Sequence, residues 1–85
     1  MSSPWYLYIV RCADNSLYTG ITTDLERRIT EHNTDKKGAK YTRARRPVEL
    51  IYHEPFDNRS EASIREAKIK KLTPEKKRLL IQQAI

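Results

Sequence analysis

Two short runs of alternating side chains, separated by a polar turn, constrain this chain more than any other feature. Residues 5–12 read Trp-Tyr-Leu-Tyr-Ile-Val-Arg-Cys, aromatic and β-branched, and residues 17–21 read Leu-Tyr-Thr-Gly-Ile. Between them Asp14, Asn15 and Ser16 supply turn chemistry, so the pair predicts a β-hairpin. Alternation puts Trp5, Leu7 and Ile9 on one face of the first strand and Leu17 and Ile21 on one face of the second. If those apolar faces coincide, Tyr6, Tyr8 and Val10 share the opposite face with Tyr18 and Gly20. A loop with an odd number of residues is then required, and phenols gather beside a glycine.

The rest of the chain has to cover that hairpin with little material. At 85 residues, 38% hydrophobic and 33% charged, the chain is expected to form one domain with a thin core at about residues 5–84 and a shallow active-site cleft. Cys12 is the single cysteine, and with only His32 and His53 beside it no intramolecular disulfide or zinc cluster of Cys and His can form, so stability must come from packing. Lys and Arg number 17 against 11 Asp and Glu, a net charge of +6 that favours a polyanionic partner such as nucleic acid or an anionic membrane surface, beside the plain alternative of a basic soluble protein. The apolar run at residues 5–10 is far short of the ~20 residues that span a bilayer, so a cytoplasmic protein without a membrane partner is expected.

After the hairpin, Thr23 and Glu26 have capping-box spacing and Asp24 adds negative charge at a helix start, predicting a helix to about Asn33. At ~100° per residue, Leu25, Arg28, Ile29 and His32 fall in one arc while Arg27 points away. Arg28 is therefore directed toward the sheet, although a plain surface pair with Asp24 or Glu31 explains it equally. Residues 36–46 then carry Lys36, Lys37, Lys40, Arg43, Arg45 and Arg46 around Tyr41 with no acid, a composition suited to phosphate contacts and stacking, or to a solvated basic loop. Residues 48–53 predict a third strand stopped by Pro55. Asn58 and Glu61 predict the cap of a second helix running to about Leu72, and Thr73-Pro74 opens a third. Glu66 sits at the edge of the packed face of that second helix, as an i, i+4 partner of Lys70 or as an oxygen ligand for a hard cation.

Tyr6-Leu7-Tyr8, Tyr18-Thr19-Gly20, the helix containing Arg28, His32 and Asn33, the stretch from Gly38-Ala39-Lys40-Tyr41-Thr42 to Arg46-Pro47, and Glu66 occur in one order over nearly the whole chain. Together they resemble the GIY-YIG nuclease superfamily, in its small single-domain bacterial branch related to the catalytic subunit of branched-DNA structure-specific endonucleases. Tyr6 replaces the glycine of the first motif and Thr19 the isoleucine of the second. Element order and resemblance imply an α+β fold, a two-layer α/β arrangement with a small three-stranded antiparallel sheet flanked by helices in the order β-β-α-β-α-α. The resemblance further implies phosphodiester hydrolysis in DNA with one Mg²⁺ or Mn²⁺. Glu66 would hold the metal, Arg28 the scissile phosphate, Tyr8 or Tyr18 would take the proton of the attacking water, His32 would accept that proton or orient the phenol, and Gly20 would complete the motif.

Three functions accommodate these residues. The first is a metal-dependent DNA endonuclease acting in repair or recombination, using Tyr8, Tyr18, Arg28, His32 and Glu66, with Lys36, Lys37, Lys40, Tyr41, Arg43, Arg45 and Arg46 on the nucleic-acid backbone. The second is a non-catalytic nucleic-acid-binding module, marked by metal-independent binding without turnover. The third is a nuclease subunit that takes its substrate choice from a partner protein. Duplex, flap, branched DNA and RNA all remain open as substrates.

Overall fold

The structure, a computed structural model, describes residues 4–34 and 38–83. Strands β1 (Trp5–Arg11) and β2 (Leu17–Thr22) form the expected hairpin, and β3 (Glu49–Phe56) pairs with the other edge of β1, giving an antiparallel sheet in the order β2-β1-β3. Helices α1 (Leu25–Thr34), α2 (Lys40–Arg43), α3 (Arg59–Lys70) and α4 (Pro74–Gln83) complete the chain. Among the described residues, no helix is long and apolar enough to cross a membrane.

Hairpin register follows the sequence alternation. Leu7 lies opposite Ile21, Tyr8 opposite Gly20 and Val10 opposite Tyr18, so apolar and tyrosine faces separate as expected. Asn15 in the turn adopts a left-handed φ of 68°, a conformation asparagine tolerates better than most residues. The Asp14 carboxylate closes the turn by accepting from the Ser16 backbone N–H at 3.0 Å.

Because β1 is central, both of its faces need cover, and helices supply it on both sides. Leu7 and Ile9 pack with Ile69 of α3 and with Leu72, Leu80 and Ile81, while Tyr8 and Val10 pack with Leu25 and Ile29 of α1. A register shift between Ile9 and Val10 in the β1–β3 pairing lets Leu50 join the Val10 cluster, while the consecutive Ile51 and Tyr52 both join the Leu7 cluster. Arg65 of α3 donates to both Glu54 carboxylate oxygens at 2.9 and 3.1 Å, and Tyr52 donates to the same carboxylate, fixing α3 across β3.

Three boundaries differ from expectation. Pro55 does not stop β3, which runs on to Phe56. On an edge strand the missing N–H removes no ladder bond if it faces outward. The cap of α1 is Asp24, whose side chain accepts from the Arg27 N–H at 3.0 Å, whereas Thr22 rather than Thr23 supports it by accepting from the Asp24 N–H at 3.1 Å. The basic segment is not a plain loop, since it contains the single turn α2. The Asn58 cap of α3 is as expected, accepting from the Glu61 N–H at 2.9 Å.

Candidate active site

The hydroxyl of Tyr8 is the point on which three elements converge. Its side chain leaves the tyrosine face of β1 and crosses Gly20 on β2, where a Cβ would lie 2.6 Å from the phenol oxygen. Only the absence of a side chain at position 20 lets the ring lie there. From α1, Nε2 of His32 is 2.7 Å from the Tyr8 oxygen, and Nε of Arg28 donates to that oxygen at 3.4 Å. Arg28 also donates to Glu31 at 3.0 Å. The surface-pair reading and the inward reading of Arg28 thus both describe it, while the Arg27 side chain stays 63% exposed and reaches Glu31 only at 4.0 Å.

Tyr18 stands beside this centre. Its ring centroid is 5.3 Å from that of His32, 6.5 Å from that of Tyr8 and 6.0 Å from that of Tyr41, with Tyr41 nearly parallel. Tyr18 is half-buried where Tyr8 is only 1% exposed. Among the described residues its hydroxyl has no hydrogen-bond partner.

Burial governs the electrostatics. It pushes the Tyr8 phenol up to about 12; the hydrogen bond and charge of Arg28 oppose the rise, and the charges of Tyr18 and Glu66 add to it. Burial likewise pushes His32 down to about 4, helped by the positive charges of Arg28 and Arg46 and opposed by Glu31. His32 is therefore a neutral imidazole at neutral pH, fully buried, with both ring nitrogens engaged.

Glu66 on α3 acts on the Tyr8 phenol through its charge and pairs with Lys70 at 3.4 Å. Its side chain is 23% exposed. Among the described residues no group of three His, Cys, Asp or Glu side chains could cage a metal ion. The donor set fits a different kind of ion, one held by a single carboxylate that keeps most of its waters and takes substrate phosphate, as Mg²⁺ does.

The basic segment divides. Lys36 and Lys37 lie outside the described residues. Lys40, Tyr41 and Arg43 are exposed on α2. Arg45 spans to the hairpin turn, pairing with Asp14 at 3.0 Å, and its guanidinium lies 4.0 Å over the Tyr41 ring, which holds Tyr41 against Tyr18. Arg46 turns inward and donates to the backbone carbonyls of His32 and Glu31 at the end of α1.

Three contributions escaped the sequence reading. Thr42 is fully buried, with Oγ1 2.8 Å from Nδ1 of His32. In a run of basic residues nothing marked it except its position between Tyr41 and Arg43. Asn33 acts as a side-chain splice, accepting from the Val48 N–H at 2.7 Å and donating to the Val48 carbonyl at 3.1 Å, which ties α1 to the start of β3. Lys77 and Arg78 of α4 line a cleft of about 220 Å³ with Tyr41 and the hairpin turn, extending the positive surface beyond residues 36–46.

Residues 4–78 match the GIY-YIG catalytic domain. A UPF0213 protein of Desulfotalea psychrophila is 62% identical over 92% of this chain and 71% of its own length. One of Staphylococcus saprophyticus is 54% identical over 92% of this chain and 94% of its own. The solution NMR structure of the UPF0213 protein from Bacillus halodurans shares 44% identity, with a TM-score of 0.61 over 94% of this chain and 84% of that one. A protein of E. faecalis, also solved by NMR, shares 44% identity, with a TM-score of 0.64 over 98% and 88%.

Proposed function

The chain belongs to the GIY-YIG catalytic domain family, a nuclease family, and from that premise we propose that it is a divalent-metal-dependent endonuclease that hydrolyses phosphodiester bonds in DNA. The observation that carries this reading is the meeting of Arg28, Tyr8 and His32 at one phenol oxygen, with Tyr18 alongside.

Hydrolysis requires a fixed phosphate, an oriented water and stabilisation of charge as phosphorus becomes five-coordinate. Arg28 serves the first and third needs. Its guanidinium is held by Tyr8 through Nε and by Glu31 through one terminal nitrogen. A planar donor fork fixed in this way meets a non-bridging phosphate oxygen without reorganising. Tyr8 is a poor base, for its oxygen is already bonded to His32, burial resists its ionisation and its ring is closed off from solvent. That leaves Tyr18, half-exposed and with its hydroxyl open, to accept a hydrogen bond from the attacking water. Glu66 would hold the Mg²⁺ or Mn²⁺, which when bound supplies positive charge to the phosphate and to the leaving oxygen. Lys40 and Arg43 provide exposed positive charge for the flanking backbone, with the exposed Tyr41 ring between them.

The test is a cleavage assay on labelled duplex, single-stranded, flap and four-way-junction DNA, in Mg²⁺, Mn²⁺ or chelator, with wild type beside Glu66→Gln. Metal-dependent cutting by wild type alone is expected, with DNA affinity retained in the variant. Tight binding without cutting in any metal would overturn the reading in favour of a binding module or a subunit that needs a partner protein.

A further inference from the structure

Thr42 belongs to a line of four hydrogen bonds whose two ends admit only one direction. At one end stands the Arg28 guanidinium, which can only donate, with Nε 3.4 Å from the Tyr8 oxygen. At the other stands the Ala39 carbonyl, which can only accept and lies 2.9 Å from Oγ1 of Thr42. Between them Tyr8, His32 and Thr42 are joined at 2.7 and 2.8 Å, and each can either donate or accept across either junction. With both ends fixed and a neutral imidazole, all four bonds are satisfied in one arrangement only. Arg28 donates to Tyr8, Tyr8 to Nε2 of His32, Nδ1–H of His32 to Thr42, and Thr42 to the Ala39 carbonyl.

We propose that Thr42 is a positioning residue, which fixes the proton of His32 on Nδ1 and thereby turns the lone pairs of the Tyr8 oxygen toward Arg28. If the imidazole carried its proton on Nε2 instead, Tyr8 would have to accept from His32, its own proton would lose its buried acceptor, and Thr42 would have to turn its hydroxyl from the Ala39 carbonyl to Nδ1. The phenol oxygen would then divide its lone pairs between His32 and Arg28, which weakens the inner anchor of the guanidinium. An imidazolium with both nitrogens protonated would do the same, and burial together with the facing charges of Arg28 and Arg46 opposes it, with Glu31 on the other side of the balance. Among the described residues, the titratable side chains whose rings lie against His32 are Tyr8 and Tyr18.

The placement gives this line a physical setting that favours it. Tyr8, His32 and Thr42 are each no more than 1% exposed, so water does not compete for their bonds, and successive bonds in a dry interior reinforce one another. Thr42 reaches the ring because Gly38 lets the chain press on the end of α1: a Cβ there would stand 2.7 Å from the Glu31 carbonyl oxygen. The segment that carries the exposed Lys40 and Arg43 is thus the same one that sets the polarity of the buried phenol.

Reading Arg28 as the phosphate ligand rests on the proposed nuclease function, but the proton placement does not, so the test begins on the free protein. Long-range ¹H–¹⁵N NMR of the His32 ring is expected to show a protonated Nδ1 and a bare Nε2 in wild type and in Thr42→Ser. In Thr42→Val, which keeps the shape and removes the hydroxyl, that pattern should be lost and the Arg28 Nε–H signal should shift and exchange faster. A wild-type ring protonated on Nε2, or a Thr42→Val protein with unchanged His32 and Arg28 signals, would overturn the proposal. With DNA, Thr42→Val should cut about tenfold more slowly at unchanged affinity, the rate equivalent of one neutral hydrogen bond, and Thr42→Ser should restore the rate. Absence of cutting by wild type would count against the nuclease function and leave the NMR result standing. Normal cutting by Thr42→Val despite altered NMR signals would overturn the positioning role.

Discussion

Tyr8 and His32, 24 positions apart in sequence, are joined across the sheet–helix interface by a 2.7 Å bond from the phenol oxygen to Nε2, at a point with almost no solvent access. The bond ties β1 to α1 at the phenol oxygen that also accepts from Arg28.

Arg28 and Arg27 are adjacent and chemically identical, so they separate position from charge. Arg28→Ala is expected to lower cleavage by about 100-fold or more, the scale for removing a charged donor from a developing oxyanion, and Arg27→Ala by no more than a few-fold. Steady-state kinetics on one DNA substrate compares them. Equal losses would mean that the arginines act only as surface charge.

Gly20 is required by the ring above it and not by its backbone angle. Gly20→Ala puts a methyl group 2.6 Å from the Tyr8 oxygen, and the buried ring has little room to retreat. Overpacking of this kind costs about 1–3 kcal/mol, and the displaced phenol should also lose His32. Urea unfolding reads the first effect and cleavage the second; wild-type stability in the variant would show that the ring moves aside freely.

The proton affinity of His32 gives stability a pH dependence. Its folded value is pushed down to about 4 from an ordinary 6.5, so between these values the unfolded chain binds the proton more readily than the native one. Stability should be full above about pH 6.5, fall as the pH drops toward 4, and lose about 3 kcal/mol across that window. Denaturant midpoints at pH 7, 5.5 and 4.5 measure it, and a flat profile would put His32 at its ordinary affinity.

Thr19 is 3% exposed, and its hydroxyl is buried without a hydrogen-bond partner among the described residues. Thr19→Val removes that group at nearly constant volume and should stabilise the fold by about 1 kcal/mol, raising Tm by roughly 4–8 °C for a domain of this size. A lower Tm on calorimetry would reveal a partner for the hydroxyl.

The basic segment should split by role. Lys40→Ala and Arg43→Ala, both on exposed α2, should leave stability unchanged and reduce the salt dependence of DNA affinity by about one unit of slope per lost phosphate contact. Arg46→Ala should cost about 1–3 kcal/mol of stability, because the carbonyls of His32 and Glu31 lose the guanidinium that bonds both. Identical behaviour of all three variants would contradict the inward placement of Arg46.

What the sequence determined by itself was everything that depends on period and local chemistry. Alternation in residues 5–12 and 17–21 fixed both the register and the face on which Tyr8, Tyr18 and Gly20 meet, because a one-residue slip would have exposed every apolar side chain. The 100° helical step separated Arg28 from Arg27, and Asn58 marked the start of α3 because an N-cap is a local bond. Tertiary structure decided the rest. That β3 lies on the far side of β1, making it an edge strand able to carry Pro55, depends on pairing between residues 38 to 51 positions apart. That Arg46 closes the end of α1 while Lys40 faces solvent, and that Thr42 reaches the His32 ring, depends on how residues 38–46 dock on α1. In sequence nothing distinguishes the inward from the outward cations of this segment but their order. A basic run has no period, so only the packing of the chain around Gly38 could assign each of its members a partner.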